Sequence, residues 1–477
     1  MQPLAVVTAL FQALSERAIA HCIFKSVEHL EDSLLGLTDI DLLVDERRQR
    51  DCREALISAG FRSAKSQPWA RYPGIEDWVS LDPATARIVH VHLHFRLHTG
   101  LKYVKDLHLP WERDVLSSAK PHPVHGVPVI DPSLELVLLV VRSAAALPPR
   151  TAVRGAQDLG VGEGTQRELV YLREKAVPAQ VGRYAHLLKD PTLARHVADM
   201  ALGSGPPGGE GLLLIKARLS EEPRLHRLRT SRAKSQQLRR KAIRRGVRSG
   251  IGRALHVPSG KRLGPGGLVV GLVGSDGSGK STVIAEVHRR LAAKVDVQRF
   301  YLGRARGPAP AFDRALSGAT MRLGRGTSAA RAAAGVGYAL QRWLILRRSA
   351  AAAAGGSLVL LDRYPQRHLF RLFDGPMIVA EGAHWLVRWC ARVERSLFAS
   401  MERQPGALIM RLHVRPEVAL ARKPGEGAAI RAKAGLLDQL RFGHGVTVVE
   451  VDGEQPLDSV VRTVMNEIWG RLPQAPS

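Results

Sequence analysis

The sequence contains few cysteines and no long apolar run, and each absence excludes a class of protein. Only three cysteines occur among 477 residues, Cys22, Cys52 and Cys390, and they are too scattered for a disulfide framework or a zinc knuckle. The best apolar run, residues 136–141, stops at Arg142, well short of the roughly 18 to 20 residues that span a membrane. The amino terminus has no secretory signal pattern, so we expect a protein of the reducing cytoplasm.

Acidic residues are scarce relative to basic ones, which predicts attraction to polyanions. Seventy Lys and Arg stand against 44 Asp and Glu, giving a formal net charge of +26. Much of the excess lies in residues 224–262, where fourteen Lys or Arg occur without one acid. The apolar residues of this basic stretch form a stripe at nearly helical spacing, and they are Leu238, Ile243, Val247, Ile251 and Leu255.

Three interpretations of the basic stretch remain open. The first is a solvated linker helix that packs its stripe on a neighbouring domain. The second is a peripheral arm that lies on anionic lipid headgroups at the inner face of the membrane. The third is a nucleic-acid contact. We favour the linker, keep the membrane surface as an alternative, and do not expect a nucleic-acid partner.

The length predicts more than one domain, because a single hydrophobic core rarely serves 477 residues. We expect a first domain over residues 1–200, a Gly/Pro-rich and then strongly basic linker over 201–265, and a βα domain over 266–477. The alanine-rich residues 328–354 also carry bulky apolar side chains, so the pattern predicts a helix there rather than disorder.

Residues 268–291 carry the strongest motif of the chain: an apolar strand, a glycine-rich turn and an amphipathic helix. The turn has the GxxxxGK[ST] pattern followed by a threonine, and its residues are Gly274, Ser275, Asp276, Gly277, Ser278, Gly279, Lys280, Ser281 and Thr282. Glycines let backbone N–H groups converge on phosphate oxygens, while the lysine reaches the β and γ phosphates. The motif therefore predicts a site for ATP and Mg²⁺, with the Ser281 hydroxyl as a metal ligand.

A second apolar strand, within residues 357–365, ends in Asp362 and Arg363. An acid at the carboxyl end of a parallel strand beside a phosphate loop is positioned to hold Mg²⁺ directly or through water. The neighbouring guanidinium can meet an anionic acceptor with two parallel hydrogen bonds. We therefore assign Asp362 to the metal and Arg363 to the acceptor.

These motifs, together with residues 407–423, resemble the thymidylate kinase-like family of P-loop nucleoside monophosphate kinases over residues 266–472. The resemblance implies an α/β fold, a P-loop NTPase-type parallel sheet flanked by helices. It implies that Asp276 contacts the sugar hydroxyl of the acceptor and that Arg363 holds the acceptor phosphate. It also implies a mobile lid after the strand and helix at 407–422, whose candidates are Arg422, Lys423, Arg431 and Lys433. Because the loop itself carries no arginine, Lys280, Mg²⁺ and a lid arginine, Arg422 or Arg431, are expected to meet the charge of the transition state.

Two segments depart from the members of that family that phosphorylate dTMP. Residues 299–310, RFYLGRARGPAP, lack the Arg-Glu-Pro type of motif that usually follows the second strand. Residues 365–376, PQRHLFRLFDGP, lack the usual serine-rich, glutamine-containing base-binding helix. We therefore expect phosphoryl transfer, which depends on positioning and charge neutralisation, and assign no thymine specificity.

The first half of the chain carries two acids, Asp39 and Asp41, on an apolar strand that follows Lys25 and Ser26. Acids at i and i+2 share one face of a strand, as two-metal nucleotidyl transfer requires. The spacing resembles the nucleotidyltransferase superfamily, which implies an α+β domain with a second metal site at Asp39 and Asp41. Lys25 stands where that family usually has a glycine.

A later strand, residues 87–97, places three histidines on one face, His90, His92 and His94, where that superfamily has a third carboxylate. Imidazole suits Zn²⁺ or Mn²⁺, but adjacent positions on one strand rarely complete a tetrahedral site. We expect instead a polar strand that faces the two acids. Active nucleotidyl transfer, a degenerate domain that only binds, and an edge strand with solvated acids all stay open.

Taken together, the motifs predict a cytoplasmic Mg-ATP-dependent kinase acting on a nucleoside monophosphate or a related small phosphorylated or hydroxyl acceptor. One alternative is an NTP-binding switch or scaffold at a membrane or polyanion. Another is a bifunctional kinase and nucleotidyltransferase of surface-polysaccharide metabolism, which rests on fold-level analogy. The sequence is also compatible with an oligomer such as a dimer.

Overall fold

The structure is a computed structural model that divides the chain into two compact units. The first unit comprises Met1–Asp82, Ile88–Gly246 and Ser477, and the second comprises Pro83–Arg87 and Val247–Pro476. The structure describes residues 2–147 except 26, 162–203, 208–222, 225–228, 230–249, 260–303, 327–404 and 406–473. The first unit thus continues to Gly246, beyond the boundary near residue 200 that the glycine-rich break suggests.

The first unit is a mixed sheet joined to a helical bundle. Its strands are β1 His21–Ile23, β2 Ile40–Val44, β3 Arg62–Lys65, β4 Ile75–Asp82, β5 Arg87–His94, β6 Leu97–Thr99, β7 Leu107–Leu109, β8 Lys120–Pro121, β9 Pro128–Val129 and β10 His226–Arg227. Its helices are α1 Ala5–Glu16, α2 Leu30–Leu34, α3 Gln49–Ser58, α4 Glu112–Ser118, α5 Pro132–Ala146, α6 Glu163–Lys175, α7 Pro178–Ala185, α8 Pro191–Leu202, α9 Gly209–Leu219 and α10 Thr230–Arg248.

Within the main sheet of this unit the strands lie in the order β3-β4-β5-β2-β1-β9-β8. Strand β2 pairs antiparallel with β1 and parallel with β5, and Asp41 of β2 stands in register with His92 of β5. Because β4 is the other neighbour of β5, the side chains of three strands meet on one face near these residues. A small second sheet contains β10, β7 and β6.

Two apolar cores hold the first unit together. One core lies between the sheet and helices α1 and α3, and the other fills the bundle of α5 to α9. Helix α5 begins at Pro132, where the Asp131 side chain accepts a hydrogen bond from the Ser133 N–H and caps the helix. Eleven residues of α5 are buried, which explains the nearly continuous apolar run from Leu136 to Val141 as the centre of the bundle.

Helix α10, which contains most of the basic stretch that the structure describes, packs on the first unit through a largely polar face. Ala233 is fully buried and lies in a small apolar cluster with Leu101 and Val104. One turn further along, Gln237 Nε2 donates a hydrogen bond to the carbonyl oxygen of Lys102 at 3.0 Å. The helix therefore belongs to the first unit, although it lies within the predicted linker.

Arginines continue this packed face of α10. Arg240 Nη1 donates to the carbonyl oxygens of Arg71 at 3.2 Å and Tyr103 at 2.7 Å, and Arg244 lies 4.9 Å from the centre of the Tyr103 ring. Of the apolar stripe that the linker interpretation used, Leu238 is 67% exposed, whereas Ile243 and Val247 are half-buried. Two members of that stripe, Ile251 and Leu255, lie outside the described residues.

The second unit is an α/β domain. Its strands are β11 Arg262–Leu263, β12 Leu268–Gly274, β13 Val297–Tyr301, β14 Leu358–Asp362, β15 Ala407–His413 and β16 Thr447–Asp452. Its helices are α11 Lys280–Ala292, α12 Ser328–Ala354, α13 Trp385–Glu402, α14 Pro416–Arg422, α15 Gly427–Ala434 and α16 Leu457–Arg471. The helix predicted over the alanine-rich residues is confirmed as α12, which the Thr327 hydroxyl caps.

Five strands of this unit form a parallel sheet in the order β13-β14-β12-β15-β16. Strand β12 lies at the centre, between β14 and β15, and the chain leaves its carboxyl end into the glycine-rich turn. The direction of strand order reverses at this position, so a crevice opens beyond the strand ends, where open α/β sheets bind ligands. The fold class predicted for this half is confirmed.

Helices cover both faces of the parallel sheet. Val269 and Val273 of β12 share a core with Phe398 and Met401 of α13 and with residues of α12. Val270 and Leu272 point to the other face because successive side chains of a strand alternate, and both are buried. Helices α11 and α16, which contact each other and β12, supply the cover there.

All three cysteines are buried, and no two of them are joined. Burial raises the pKa of the Cys52 thiol to about 12, and it also raises the pKa of Cys22 and Cys390. None of the helices among the described residues combines the length and apolar character needed to cross a membrane.

Candidate active site

The glycine-rich turn joins β12 to α11 at the centre of the parallel sheet. Gly277 and Gly279 have φ angles of 78° and 88°, in the left-handed region that favours glycine. A Cβ atom on Gly277 would lie 2.4 Å from the carbonyl oxygen of Ala419, so a larger residue would also clash there. These two glycines allow the turn to curl over the amino terminus of α11, as an anion-binding loop must.

Lys280, the first residue of α11, bends back into the turn. Its Nζ donates to the carbonyl oxygens of Gly274 at 2.9 Å and Ser275 at 2.6 Å, and to Ser278 Oγ at 3.2 Å. The side chain is 8% exposed, and burial lowers the pKa of its ammonium to about 8, while Asp276 opposes this shift. The ammonium thus lies inside the turn, where phosphate oxygens could replace the carbonyl oxygens as its partners.

The turn is linked to the neighbouring strand by Ser281 and Asp362. Leu272 of β12 stands in register with Asp362 of β14, and the Ser281 hydroxyl donates to Asp362 Oδ2 at 2.7 Å. Asp362 is 4% exposed, so its carboxylate is held in place by the end of a buried strand. A hydroxyl and a carboxylate at this spacing are hard oxygen donors that fit Mg²⁺, with water completing the octahedron. Thr282, the next residue of α11, is exposed.

Asp276 meets two cations above the turn. Lys433 of α15 forms an ion pair with Asp276 Oδ2, and Arg363 Nη2 lies 3.8 Å from Asp276 Oδ1. Burial acts to raise the pKa of Asp276, but the hydrogen bond and charge of Lys433 outweigh it and lower the pKa. The carboxylate is therefore ionised at neutral pH and bridges the turn to the predicted lid.

Arg363 belongs to a charged group that the sequence did not predict. Its Nη1 lies 3.4 Å from Asp374 Oδ2, and Arg342 of α12 donates from Nη2 to Asp374 Oδ1 at 2.9 Å. Arg342 is 4% exposed and also donates from Nε to the carbonyl oxygen of Leu302 at 3.1 Å. The Tyr301 ring lies 5.7 Å from the Arg363 guanidinium. Arg342, Asp374 and Tyr301 therefore form one wall of the crevice with Arg363.

The irregular backbone around this wall is also unusual. Arg363, Phe373 and Asp374 adopt positive φ angles of 80°, 43° and 59° although none is a glycine. Buried Glu394 of α13 supports the next part of the segment, because its carboxylate accepts hydrogen bonds from the N–H groups of Met377 and Ile378, each at 3.0 Å. Arg363 and Asp374 are thus held by contacts with their surroundings, whereas Arg342 and Tyr301 belong to α12 and β13.

The four predicted lid residues occupy different positions. Lys433 contacts the turn through Asp276, as described above, whereas Arg422 donates from Nη1 to the Gly453 carbonyl oxygen at 3.2 Å. The same Nη1 would lie 4.0 Å from a Cβ atom on Gly279, so Arg422 stands beside the turn. Lys423 and Arg431 are exposed. Among the four, Lys433 and Arg422 are therefore the two that the structure brings to the phosphate loop.

In the first unit, Asp39, Asp77 and two histidines form a compact cluster. His90 is fully buried, with Nδ1 at 3.0 Å from Asp39 Oδ1 and Nε2 at 3.0 Å from Asp77 Oδ1. His92 Nε2 lies 3.3 Å from Asp77 Oδ1 and 3.9 Å from Asp39 Oδ2. Asp77 of β4 is a third carboxylate that the sequence did not predict, because its approach to His90 depends on the order of the strands in the sheet.

Asp41 lies beside this cluster but has other partners. His94 Nε2 lies 2.9 Å from Asp41 Oδ1, and Lys25 Nζ donates to the same oxygen at 3.4 Å. Despite its desolvation, these neighbours and His92 hold the pKa of Asp41 well below its usual range. Burial and the charge of Lys25 lower the pKa of His94 to about 3, so its imidazole is neutral. The two predicted acids, Asp39 and Asp41, therefore have distinct environments.

Comparison with curated proteins finds two related proteins of Escherichia coli (strain K12). The chain is 30% identical over 223 residues to "Uncharacterized ATP-binding protein YghS", covering 43% of this chain and 93% of that protein. It is 28% identical over 218 residues to "Uncharacterized ATP-binding protein YghR", covering 42% of this chain and 86% of that protein. No family model matches the sequence.

Comparison with solved structures finds kinases at low similarity. A deoxyadenosine kinase from M. mycoides is 13% identical with a TM-score of 0.28, covering 42% of this chain and 98% of that one. A thymidylate kinase from Candida albicans is 16% identical with a TM-score of 0.28, covering 43% of this chain and 91% of that one. These values describe a likeness and carry no assignment of substrate.

Proposed function

The chain belongs to the family of the Escherichia coli ATP-binding protein YghS, and from this premise we propose that it is a Mg-ATP-dependent kinase of small acceptors. One observation carries the proposal: Ser281 Oγ, at the start of α11 beside Lys280, lies 2.7 Å from Oδ2 of Asp362, which ends the neighbouring strand β14. A glycine-rich turn, a buried ammonium and an oxygen pair fit a triphosphate with its metal.

The phosphate side of the reaction uses the turn and Lys280. Backbone N–H groups of the turn and of the first turn of α11 bind the β and γ phosphates, and the Lys280 ammonium exchanges its carbonyl partners for phosphate oxygens. Ser281 and Asp362 would hold Mg²⁺, which supplies neutralisation of the charge on the phosphates. Lys280 and Arg422, which stands beside Gly279, stabilise the charge that develops on the transferred group.

The acceptor side uses Asp276 and Arg363. An acceptor oxygen forms a bond to the γ phosphorus while the bond between that phosphorus and the β–γ bridging oxygen breaks and ADP leaves. A phosphate acceptor attacks through an oxygen that is already anionic, whereas a hydroxyl acceptor gives its proton to the Asp276 carboxylate. Asp276 is ionised, so it can accept a hydrogen bond from an acceptor hydroxyl and orient it. Arg363 can exchange Asp374, 3.4 Å away, for an anionic group on the acceptor. This pairing supports an acceptor that carries both a hydroxyl and an anionic group.

The acceptor class follows from that pairing. We assign a nucleoside monophosphate or a related small phosphorylated molecule to the crevice, with a simple hydroxyl acceptor as the alternative, and we assign no thymine specificity. Lys433 acts as a lid residue that pairs with Asp276 until the acceptor hydroxyl arrives. In this role it keeps the carboxylate charged and in place between turnovers.

The test is a transfer assay with labelled ATP and Mg²⁺ against a panel of nucleoside monophosphates, sugars and sugar phosphates. The K280A variant is the inactive control, and R289A is the matched control, since Arg289 is an exposed residue of the same helix whose partner is Glu286. We expect transfer to one acceptor class, reduced by at least about 100-fold in K280A because a charged phosphate contact is lost, and retained in R289A.

A different outcome would favour the NTP-binding switch. If nucleotide binds and is hydrolysed slowly, but no member of the panel accepts phosphate, the kinase proposal fails. If wild type and K280A bind ATP equally, both the kinase and the switch fail, because each needs Lys280 on the phosphates. Equilibrium dialysis with and without Mg²⁺ separates these two results.

A further inference from the structure

The cluster of Asp39, His90 and His92 lies in the first unit and has no part in the proposed kinase chemistry. One donor atom from each residue can be chosen so that all three atoms lie within 4.8 Å of one another. His90 Nδ1 is 3.0 Å from Asp39 Oδ1, and His92 Nε2 is 3.9 Å from Asp39 Oδ2. A tetrahedral ion with bonds of about 2.0 to 2.1 Å separates its ligands by about 3.3 to 3.4 Å. The two distances from the imidazoles to the Asp39 carboxylate lie on either side of this spacing, and all three residues offer donors within 4.8 Å of one another.

Asp77 supplies the support that a metal-bound histidine needs. His90 Nε2 lies 3.0 Å from Asp77 Oδ1 on the opposite side of the ring from Asp39. When Nε2–H donates to Asp77, Nδ1 directs its lone pair toward the Asp39 carboxylate. Either a proton or a metal ion between Nδ1 and Asp39 Oδ1 accounts for their 3.0 Å separation, and a metal ion would displace the proton. This carboxylate–histidine arrangement is the usual outer support of a protein metal site.

The donor types favour a transition metal over Mg²⁺. Two imidazoles and a carboxylate suit Zn²⁺ and other divalent first-row transition metals, whereas Mg²⁺ prefers oxygen ligands. Asp41 is bound by His94 at 2.9 Å and by Lys25 at 3.4 Å, so it stands outside this ligand set. The set thus differs from the predicted pair of Asp39 and Asp41.

The cluster is open on one side. The side chains of Asp39 and His92 are 34% and 32% exposed, while His90 is fully buried. An ion held there would be bound on its buried side by His90 and would be accessible to solvent on the other side. This leaves one coordination position for water or an anionic group.

We propose that the first unit binds one divalent transition-metal ion of the Zn²⁺ class through Asp39, His90 and His92, with Asp77 orienting His90. The ligands come from β5 and from the residue that precedes β2, and Asp77 comes from β4, so three elements of one sheet build the site. The proposal does not depend on the kinase activity, since no residue of the phosphate loop takes part.

The first experiment measures metal binding by the full chain in the absence of nucleotide. The protein is stripped with a chelator and titrated with Zn²⁺ alone by calorimetry, and metal content is measured after gel filtration. We expect one equivalent. D39N and H92A should weaken binding by at least about 100-fold, and D77N by about 10- to 100-fold, because loss of an outer partner costs less than loss of a ligand. H122A is the matched control, since His122 stacks on His125 elsewhere in the same unit.

Folding of the variants is checked by circular dichroism, and wild type gives a second measurement that needs no substitution. Co²⁺ added to the stripped protein should produce the visible absorption bands of a tetrahedral nitrogen and oxygen site, and one equivalent of Zn²⁺ should abolish them. The proposal is overturned if no stoichiometric metal binds. It is also overturned if binding survives D39N and H92A, or if it is lost in H122A, which would assign the ion to the His122 and His125 pair.

Discussion

Replacing Glu135 with Gln should change the pH dependence of stability in the first unit. Glu135 lies in the first turn of α5, is 2% exposed, and has Glu168 and Glu28 as acidic neighbours. Burial, reinforced by Glu168, raises the pKa of its carboxyl from 4.5 to about 8, while Arg142 opposes the shift. The folded state therefore holds a proton that the unfolded chain releases near pH 4.5.

The direction and size of the change in stability with pH follow from the difference between the pKa of Glu135 in the folded state and in the unfolded state. Because the folded pKa is raised, the stability present below pH 4.5 is lost as pH rises toward about 8. Each pKa unit is worth about 1.4 kcal/mol, so wild type should lose about 4 kcal/mol between pH 5 and pH 8.5 from this one group. The E135Q side chain cannot ionise, so this variant should not lose that stability. The free energy of unfolding of E135Q, measured relative to wild type, should therefore increase by about 4 kcal/mol from pH 5 to pH 8.5.

Differential scanning calorimetry at pH 5 and pH 8.5 measures the difference in stability between E135Q and wild type. A change of about 4 kcal/mol in a unit of this size corresponds to roughly 10 °C in the midpoint of its transition. E174Q, an exposed change on α6, is the matched control and should show no growing difference. If the difference between E135Q and wild type is the same at both pH values, the buried-carboxyl reasoning is wrong.

Three further predictions concern charge, metal and packing. D374N removes the anionic partner of buried Arg342 and should lower the free energy of unfolding by about 3 to 5 kcal/mol, measured by urea denaturation. S281A should weaken ATP binding by roughly 10- to 100-fold in Mg²⁺ and leave it unchanged in chelator, measured by calorimetry. A233R places a charge in the buried contact of α10 and should destabilise the first unit by about 2 to 4 kcal/mol, while R245A on its exposed side should stay within about 0.5 kcal/mol by thermal melting.

The phosphate loop and its strand partner were predictable from local pattern. The residues from Leu268 to Ser281 specify strand, turn and helix in one continuous segment, and Asp362 follows a run of apolar residues that ends a parallel strand. Sequence spacing within one segment fixes such geometry, because each motif needs only its neighbours along the chain.

The wall formed by Arg342, Asp374, Tyr301 and Arg363 was not predictable in the same way. Arg342 belongs to a long alanine-rich helix and Asp374 to an irregular segment, and they meet only because α12 packs on the sheet beside that segment. Asp77 was missed for a related reason, since its approach to His90 depends on the order of strands in the sheet. Contacts between distant segments follow tertiary packing, which periodicity along the chain does not encode.

The basic stretch illustrates how composition can mislead about packing. Helical spacing predicted that the apolar stripe with Leu238 would meet a domain, whereas α10 packs through Ala233, Gln237 and Arg240. An arginine can pack its aliphatic stem and donate to backbone carbonyl oxygens, so a polar face can serve as the buried one. Leu238 faces solvent, while Ile243 and Val247 are half-buried, so the predicted stripe and the observed contact face coincide only in part.

Because all three cysteines are buried, the native thiols should contribute little background in thiol-labelling experiments. Each thiol is enclosed and has a raised pKa, so maleimide reagents, which need an accessible thiolate, should react slowly with the native chain. A single cysteine that replaces exposed Arg431 on α15 would then be the site that a fluorescent maleimide labels. Its fluorescence would report whether the helix that carries Lys433 moves when nucleotide and acceptor are added, without first replacing any native cysteine.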